Sequence, residues 1–201
     1  MSDDHYFSAD PSVAFAREDL ECEVWGHTLR LTSGAGVFSK GHLDHATAVL
    51  FRETEPPPQG QFLDLGCGYG PIGLAIATAV PLANVTATDV NQRALLLANE
   101  NARSLGVEGR FVACTPDQVP TDATYDEIWS NPPIRIGKEA LHDLLLRWLP
   151  RLRPEGRAVM VVGKHLGADS LQRWLTEQGW PTTRLASAKG FRVLETRPSG
   201  L

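Results

Sequence analysis

The stretch that decides the fold is Phe62-Leu63-Asp64-Leu65-Gly66-Cys67-Gly68-Tyr69-Gly70. A short apolar run ends here in a glycine-rich loop, and apolar residues at helical spacing follow from 72 to 79. Glycines in such a loop allow positive φ angles and the close approach of a ligand to the backbone. The N-terminus of the next helix adds free N–H groups. The stretch therefore predicts the strand, ligand-binding turn and helix that open a doubly wound α/β sheet.

Downstream of this unit the sequence alternates between strand-like and helix-like patterns. Asn91 is a good N-cap for one helix, and Gly106 follows the end of that helix. The strands are predicted at 62–65, 85–88, 110–113, 125–130, 157–162, 182–186 and 191–196, and the helices at 72–79, 91–105, 138–152 and 168–178. We expect a Rossmann-like, doubly wound, seven-stranded and mostly parallel sheet. A strand pair after the last helix predicts an antiparallel terminal strand, at the edge of that sheet.

The first sixty residues have a different texture. Alternating apolar and polar residues at 20–25 and 27–32, separated by Gly26, predict a β-hairpin. A loop at 33–36 and a helix over 44–53 follow, and three consecutive prolines at 56–58 form a stiff connector. We therefore divide the chain into an N-terminal extension, residues 1–60, packed on a single α/β domain, residues 61–201.

Composition sets limits on the function. The chain of 201 residues has a net charge of −5, which argues against bulk electrostatic coating of nucleic acid but leaves room for a local basic patch. Such a patch is expected near the strand ends, where Arg135, Lys138, Lys164, Lys189 and Arg192 either hold phosphates or form an ordinary mixed surface. No apolar stretch is long enough for a membrane helix, and we expect a cytoplasmic protein that does not enter membranes.

Cysteines and histidines give no metal-ligand pattern. The three cysteines are far apart, and the six histidines are scattered, so neither a disulfide framework nor a metal site is expected. We predict that the cysteines are reduced and serve as small apolar residues.

Two details of the glycine loop separate it from a dinucleotide site. A dinucleotide fingerprint has Gly or Ala where this chain has Pro71. Asp64 precedes the glycines, and its carboxylate can pair with an ammonium group, which S-adenosylmethionine has and a nicotinamide cofactor lacks. Asp89 ends the next strand, where an acid can accept hydrogen bonds from both ribose hydroxyls. Helix capping by Asp89 and a turn role for Asp64 remain open.

The second motif is Ser130-Asn131-Pro132-Pro133-Ile134, at the end of the fourth strand. The prolines remove two donors and stiffen the loop. The amide oxygen of Asn131 and the carbonyl of Pro132 then form a pair of fixed acceptors that suits an –NH₂ group. Such acceptors localise the nitrogen lone pair for in-line attack on a sulfonium methyl, so positioning and oriented dipoles carry the catalysis. A rigid turn with a capping asparagine is the alternative.

These two motifs together resemble the class I methyltransferases with the small methyltransferase domain, a family that includes bacterial 16S ribosomal RNA guanine-N2 methyltransferases and archaeal relatives. The segments 33–39, 43–47, 131–139 and 189–194 extend the resemblance to most of residues 20–197. By that resemblance the cofactor is S-adenosylmethionine and the partner is RNA, with guanine N2 of ribosomal RNA as the preferred acceptor.

The resemblance also implies which residues form the site. The catalytic segment is Asn131, Pro132, Pro133 and Ile134. The cofactor-binding residues are Asp64, Gly66, Cys67, Gly68, Gly70, Asp89, Asn91, Thr115, Phe38 and Asp44. The sequence departs from the family at three positions. Ile134 stands where the family often has an aromatic residue that stacks on the base, and Ala46 stands where it tends to have glycine. Thr115 stands where it has an acid, a role that Asp117 could take two residues later.

Other functions stay open at the level of sequence. A glutamine-amide methyltransferase uses a similar loop but usually has Tyr in place of Ile134. Small-molecule N-methylation, a catalytically inactive RNA- or protein-binding scaffold, and a nicotinamide oxidoreductase are further alternatives. The intact Asp64, Gly66, Gly68, Asp89 and Asn131 argue against an inactive scaffold.

Overall fold

The computed structural model describes residues 16–35 and 42–200, and it begins with the expected hairpin. Strands β1 (Arg17–Val24) and β2 (His27–Gly34) pair in antiparallel register, so β2 includes part of the predicted loop at 33–36. Trp25 and Gly26 form the two-residue turn with φ angles of 50° and 81°. Positive φ at both turn residues matches the twist of the flanking strands.

The seven-stranded, mostly parallel sheet follows the hairpin. Its strands are β3 (Gly60–Leu65), β4 (Ala83–Thr88), β5 (Phe111–Cys114), β6 (Tyr125–Ser130), β7 (Leu152–Gly163), β8 (Thr182–Ala188) and β9 (Phe191–Thr196). They lie in the order β5-β4-β3-β6-β7-β9-β8. The last strand in sequence, β9, is antiparallel to both of its neighbours, which confirms the predicted antiparallel terminal strand. However, β9 is not at the edge: β8 takes that place.

Five α-helices accompany the described strands. They are α1 (His45–Arg52), α2 (Pro71–Ala79), α3 (Gln92–Ser104), α4 (Lys138–Trp148) and α5 (Ala168–Glu177). Asn91 caps α3 as predicted, because its side-chain oxygen accepts from the N–H groups of Arg93 and Ala94. No helix of the described residues is long and apolar enough to span a membrane.

The predicted helix over 138–152 is too long. It ends at Trp148, a 3₁₀ turn covers Leu149–Arg151, and β7 already begins at Leu152 rather than at 157. Pro150 lacks an N–H and so cannot donate the hydrogen bond that would continue the α-helix.

Two apolar clusters fill the space on the two faces of the sheet. One joins α1, α2 and α3 with the hairpin and includes the fully buried Phe62 and Trp129. The other joins α4 and α5 and includes Leu63 and Trp148. Alternate residues of β3 thus enter opposite clusters, as the period of a strand requires.

Asn101 on α3 fixes the hairpin to the sheet domain. Its Oδ1 accepts from the backbone N of Thr32 at 2.8 Å, and its Nδ2 donates to the oxygens of Thr32 and Tyr69, each at 3.0 Å. The hairpin therefore contacts the backbone of the glycine loop through one buried side chain.

Candidate active site

A cavity of about 470 Å³ opens at the carboxyl ends of β3, β4, β6 and β7. Strands β3 and β6 are neighbours there although the chain continues from them in opposite directions across the sheet. Doubly wound sheets bind ligands at this switch point. The volume lies within the range of cofactor sites, roughly 300–1,000 Å³.

The two sequence motifs meet in this cavity. Asp64 on β3 is in register with Trp129 on β6, so the loops after both strands begin side by side. A Cβ atom on Gly66 would lie 3.5 Å from Cδ of Pro133, which is ordinary contact distance. The cavity is lined by Gly66 and Gly68 on one side and by Asn131 and Pro133 on the other. The two motifs therefore lie side by side at one end of the sheet.

The glycine loop uses three of its N–H groups internally. Gly66 and Cys67 both donate to the carbonyl of Thr88, at 2.8 and 2.9 Å, and Gly68 donates to Oδ2 of Asp89 at 2.9 Å. Positive φ angles of 73° at Gly66 and 55° at Gly68 make this tight path possible. Three consecutive donors are thus unavailable to a pyrophosphate, which argues against a dinucleotide.

Asp64 lies behind the loop and does not line the cavity. It is buried, and its Oδ2 accepts from the N–H of Gly73 in the first turn of α2 at 2.8 Å. Its Oδ1 is buried without a hydrogen-bond partner among the described residues. Burial is the largest cause that raises the pKa of Asp64 to about 7, against the lowering effect of the Gly73 N–H. The structure therefore gives Asp64 a direct role in capping α2.

Asp89 lines the cavity at the end of β4. Its two carboxylate oxygens accept from the backbone of Gly68 and of Asn91, each at 2.9 Å. Burial raises the pKa of Asp89, and these backbone N–H groups oppose the shift. A carboxylate oxygen has a second lone pair, so Asp89 can still accept from a ligand hydroxyl.

Asn131 is held in one orientation by the start of α1. Its Nδ2 donates to Oδ2 of Asp44 at 2.8 Å and to Oγ1 of Thr47 at 3.1 Å. Asp44 also caps α1 by accepting from the N–H of Thr47 at 3.0 Å. Both amide hydrogens of Asn131 are therefore used, and its Oδ1 remains as the acceptor.

The carbonyl of Pro132 already accepts one hydrogen bond within its own loop. It accepts from the N–H of Ile134 at 2.8 Å. Pro133 between them has φ −74° and ψ 71°, the geometry of an inverse γ-turn. The two prolines bend the chain back on itself here. One lone pair of the Pro132 oxygen remains.

Several predicted site residues take other positions. Gly70 does not line the cavity: a Cβ there would meet Cδ1 of Leu74 at 2.9 Å and Cβ of Ala98 at 3.2 Å, so its contacts are with α2 and α3. Thr115 bonds to the side chain of Gln118, and its neighbour Pro116 lines the cavity instead. Asp117 is exposed outside the cavity, and a bond from Thr115 lowers its pKa. Phe38 lies outside the described residues.

The remaining predicted residues reach the cavity. Cys67, Asn91, Asp44, Pro132 and Ile134 all line it. Burial raises the pKa of the Cys67 thiol, so this cysteine is a wall of the site and not a thiolate. Cys22, Cys67 and Cys114 are all free thiols. Among the described residues no group of three or more His, Cys, Asp or Glu side chains could hold a metal ion.

Sequence reasoning missed three polar groups. Thr47 lines the cavity and orients Asn131, yet it appeared in the sequence only within the segment 43–47. The hydroxyls of Thr88 and Tyr69 are buried at cavity-lining residues and have no partner among the described residues. An unpaired buried hydroxyl costs free energy unless a ligand completes its hydrogen bonds. These groups therefore fit a polar cofactor beside the glycine loop.

Comparison with known proteins agrees with this geometry. The sequence profile of the methyltransferase small domain matches residues 28–195. The Bacillus subtilis (strain 168) protein YbxB is 32% identical over 197 residues, which cover 96% of this chain and 98% of that protein. Ribosomal RNA small subunit methyltransferase C of Ectopseudomonas mendocina (strain ymp) is 31% identical over 95% of this chain, which spans 60% of that enzyme.

A solved structure has the same fold. The T. thermophilus 16S rRNA N2 G1207 methyltransferase, solved with AdoMet and guanosine, superposes with a TM-score of 0.79 at 22% identity. The match covers 94% of this chain and 52% of the Thermus chain, so the present chain spans about half of that enzyme. The fold, the enzyme class and the cofactor expected from the sequence are confirmed. The chain belongs to the methyltransferase small domain family, whose enzymes use S-adenosylmethionine.

Proposed function

We propose that the protein methylates an exocyclic amino nitrogen, with guanine N2 in ribosomal RNA as the acceptor. The observation that carries the proposal is the fixed Asn131 amide, whose hydrogens are held by Asp44 and Thr47 and whose oxygen is left to accept. An –NH₂ group is the natural partner of such an acceptor. Methylation of ribosomal RNA by the Ectopseudomonas and Thermus relatives supports the choice of ribosomal RNA.

The cofactor half of the cavity suits S-adenosylmethionine. Asp89 would hold the ribose hydroxyls, and the hydroxyls of Thr88 and Tyr69 offer further polar contacts. When bound, S-adenosylmethionine supplies an electrophilic methyl group on a sulfonium. The loop around Gly66 and Gly68 keeps three donors engaged, so it is not built for phosphate.

The acceptor half of the cavity positions the amine and does not remove a proton from it before the attack. Asn131 accepts one hydrogen of the amine, and the remaining lone pair of the Pro132 oxygen accepts the other. This arrangement turns the nitrogen lone pair out of the ring plane, so attack precedes loss of the proton. Ile134 is half-buried and offers the base an apolar contact. We infer that positioning supplies most of the rate.

The substitution Asn131→Ala tests the proposal. We expect S-adenosylmethionine affinity, measured by calorimetry, to stay at its wild-type value because Asn131 does not belong to the glycine loop or the end of β4. Turnover should fall about 100- to 1,000-fold, the usual loss for one oriented dipole at a reacting centre. The product is identified by transfer of a labelled methyl group from S-adenosylmethionine into bulk RNA, followed by nucleoside analysis. The RNA comes from a strain in which the gene for this protein is deleted.

A matched variant separates the amide from the loop around it. Ser130→Ala removes a neighbouring buried hydroxyl that donates to the carbonyl of Leu65 at 2.6 Å. It should lower stability and leave turnover within a small factor of wild type. Wild-type turnover in Asn131→Ala would show that the amide does not orient the amine. Label in protein glutamine instead of N2-methylguanosine would reject the RNA substrate.

A further inference from the structure

The chain has only four lysines, at positions 40, 138, 164 and 189. Three of them are described, and each follows a strand on the acceptor side of the sheet, although none lines the cavity. Lys138 follows the catalytic segment after β6, Lys164 follows β7, and Lys189 is in the turn between β8 and β9. Arg135 lines the cavity itself. We call Arg135, Lys164 and Lys189 the basic rim.

The basic rim is held together by the backbone. The N–H of Lys164 donates to the carbonyl of Gly190 at 2.8 Å, which places Lys164 beside the turn that carries Lys189. Gly163 and Phe191, the residues next to this contact, both line the cavity. Phe191 also lines a second depression of about 310 Å³, together with Lys189, Arg52 and His45. Lys189 therefore borders this adjoining groove, together with Arg52, which pairs with Glu53 at 2.8 Å.

The charges of the basic rim are not neutralised by the described part of the protein. Arg135, Lys164 and Lys189 have no carboxylate within ion-pair distance there, whereas arginines elsewhere do. Such pairs include Arg153–Asp126 at 2.6 Å and Arg157–Glu127 at 2.9 Å. Arg192, which the sequence grouped with the rim, contacts Asp169 at 3.4 Å and is excluded from it. Charges left unpaired beside a ligand cavity favour an anionic ligand.

The cofactor side of the cavity carries a carboxylate. Asp89 lines the cavity at the end of β4, whereas Asp117 is exposed outside it and Asp44, on the acceptor side, is engaged by Asn131. This division matches a ligand pair in which the cofactor is cationic and the acceptor is part of a polyanion. A glutamine side chain or an uncharged small molecule would leave the basic rim unused.

We propose that the basic rim binds the backbone phosphates of RNA next to the acceptor nucleotide, with the neighbouring nucleotide in the groove between α1 and the β8–β9 turn. This inference rests on the proposed function, because it names how an RNA acceptor would be held. The phosphates would give register, and Asn131 would select the amine.

The test is the salt dependence of RNA binding. Binding of a short single-stranded RNA to the full chain is measured by fluorescence anisotropy over a range of salt concentrations. For the double variant Lys164→Gln/Lys189→Gln, the slope of log K against log salt should become shallower by about 1.4. Each lost phosphate contact accounts for about 0.7 of this change. Calorimetry with S-adenosylmethionine checks that the variant is folded.

Arg103→Gln is the matched control. Arg103 is exposed in the last turn of α3, which ends at the opposite edge of the sheet, and it should keep the wild-type slope. An unchanged slope in the double variant, or an equal loss in Arg103→Gln, would overturn the basic rim. The proposal would also be overturned if polyglutamate, at the same concentration of negative charge as the RNA, displaced the RNA. Rim-dependent binding without N2-methylguanosine in the product would refute the proposed function alone.

Discussion

At the scale of single residues, the orientation of Asn131 depends on what α1 offers to its amide. Asp44 and Thr47 take both hydrogens, and a flip of the amide would place its oxygen against the Asp44 carboxylate, which has no hydrogen to donate. Thr47 is 2% exposed, which protects its bond from competition by water. A positioning role for Thr47 therefore has a clear kinetic consequence.

We expect Thr47→Val to lower kcat about 5- to 10-fold, the cost of roughly one net hydrogen bond. The KM for S-adenosylmethionine should not change, since valine has nearly the same shape and Thr47 is on the acceptor side. Steady-state kinetics with varied cofactor gives both constants. Thr54→Val is the control, because the Thr54 hydroxyl donates to the carbonyl of Leu50 at the far end of α1. Equal kcat losses in both variants would point to general damage of α1.

Asp64 gives the protein a pH-dependent stability. Its pKa is raised to about 7 in the folded chain, mainly by burial, and is about 3.9 in an unfolded chain. The folded state therefore binds the proton more tightly, and the stabilisation from the protonated carboxyl is lost as pH rises from about 4 to 7. Over that window the loss is on the order of 4 kcal/mol. Asp89, whose pKa is also raised, acts in the same direction.

We expect the wild-type melting temperature to fall between pH 5 and pH 8, and Asp64→Asn to show a smaller fall. Asparagine keeps an oxygen that can accept from Gly73 but has no proton to lose. Asp126 and Glu195 have lowered pKa values, so their effects lie below this pH range. Asp122→Asn, at an exposed site, should follow the wild type. A wild-type pH dependence in Asp64→Asn would contradict the assignment.

The sequence predicted residues whose roles depend on local backbone geometry. Asn91 as a cap and glycine at positions of positive φ needed only neighbouring residues. It did not predict that Asp64 faces α2, because a strand residue next to a loop can point to either ligand or helix. The γ-turn at Pro133 and the role of Thr47 also depend on contacts between distant segments.

At the scale of elements, Asn101 and Asn99 connect α3 to two neighbouring elements by side-chain hydrogen bonds. Asn101 holds the hairpin, while Asn99 bonds to both backbone groups of Ala113 on β5 at 2.8 and 3.0 Å. Asn101→Ala should raise the amide hydrogen exchange of residues 17–34 and lower stability by about 2–3 kcal/mol. Asn99→Ala should lower stability without a selective effect on the hairpin. Hydrogen exchange with mass spectrometry measures the protection of the hairpin. Protection unchanged by Asn101→Ala would show that Asn101 does not hold the hairpin on the sheet domain.

The element boundaries show where local sequence signals are sufficient. Both hairpins were located correctly, since two-residue turns with glycine at 26 and 190 are local features. The end of α4 was missed, because leucines at helical spacing continue to 152 and outweighed Pro150. The first part of β7 contacts Tyr125 through a register shift, and such irregular pairing leaves no periodic pattern in sequence.

At the scale of the whole molecule, cofactor binding should be linked to folding. S-adenosylmethionine at 100 times its Kd should add about 2.7 kcal/mol to the free energy of unfolding, which for a chain of this size raises the melting temperature by roughly 5–10 °C. Gly68→Ala should reduce this shift, because an alanine is strained at a φ of 55° and would loosen the loop. Differential scanning fluorimetry with and without cofactor measures both. A full shift in Gly68→Ala would contradict the placement of the cofactor beside Gly68.

The overall arrangement was predictable because the motifs constrain it. Alternating strands and helices require a parallel sheet, and the two motifs require neighbouring strands at the switch point. The place of β9 inside the sheet was not predictable, since a terminal hairpin can add either of its strands next to β7. The division into residues 1–60 and 61–201 stays a prediction, although α1 and the hairpin share one apolar cluster with α2 and α3.

The fastening of α1 has an evolutionary consequence. This eight-residue helix is attached at its start through Asp44 to Asn131, and at its end through the Trp25 indole, which donates to the carbonyls of Phe51 and Thr54. Both ends of α1 are therefore fixed by side-chain hydrogen bonds, and its apolar face packs in the cluster that it shares with α2 and α3, while Asp89 and the glycine loop come from other segments. Substitutions at the cavity-facing positions of α1 that keep these contacts are thus a route by which related proteins change the acceptor and keep cofactor recognition.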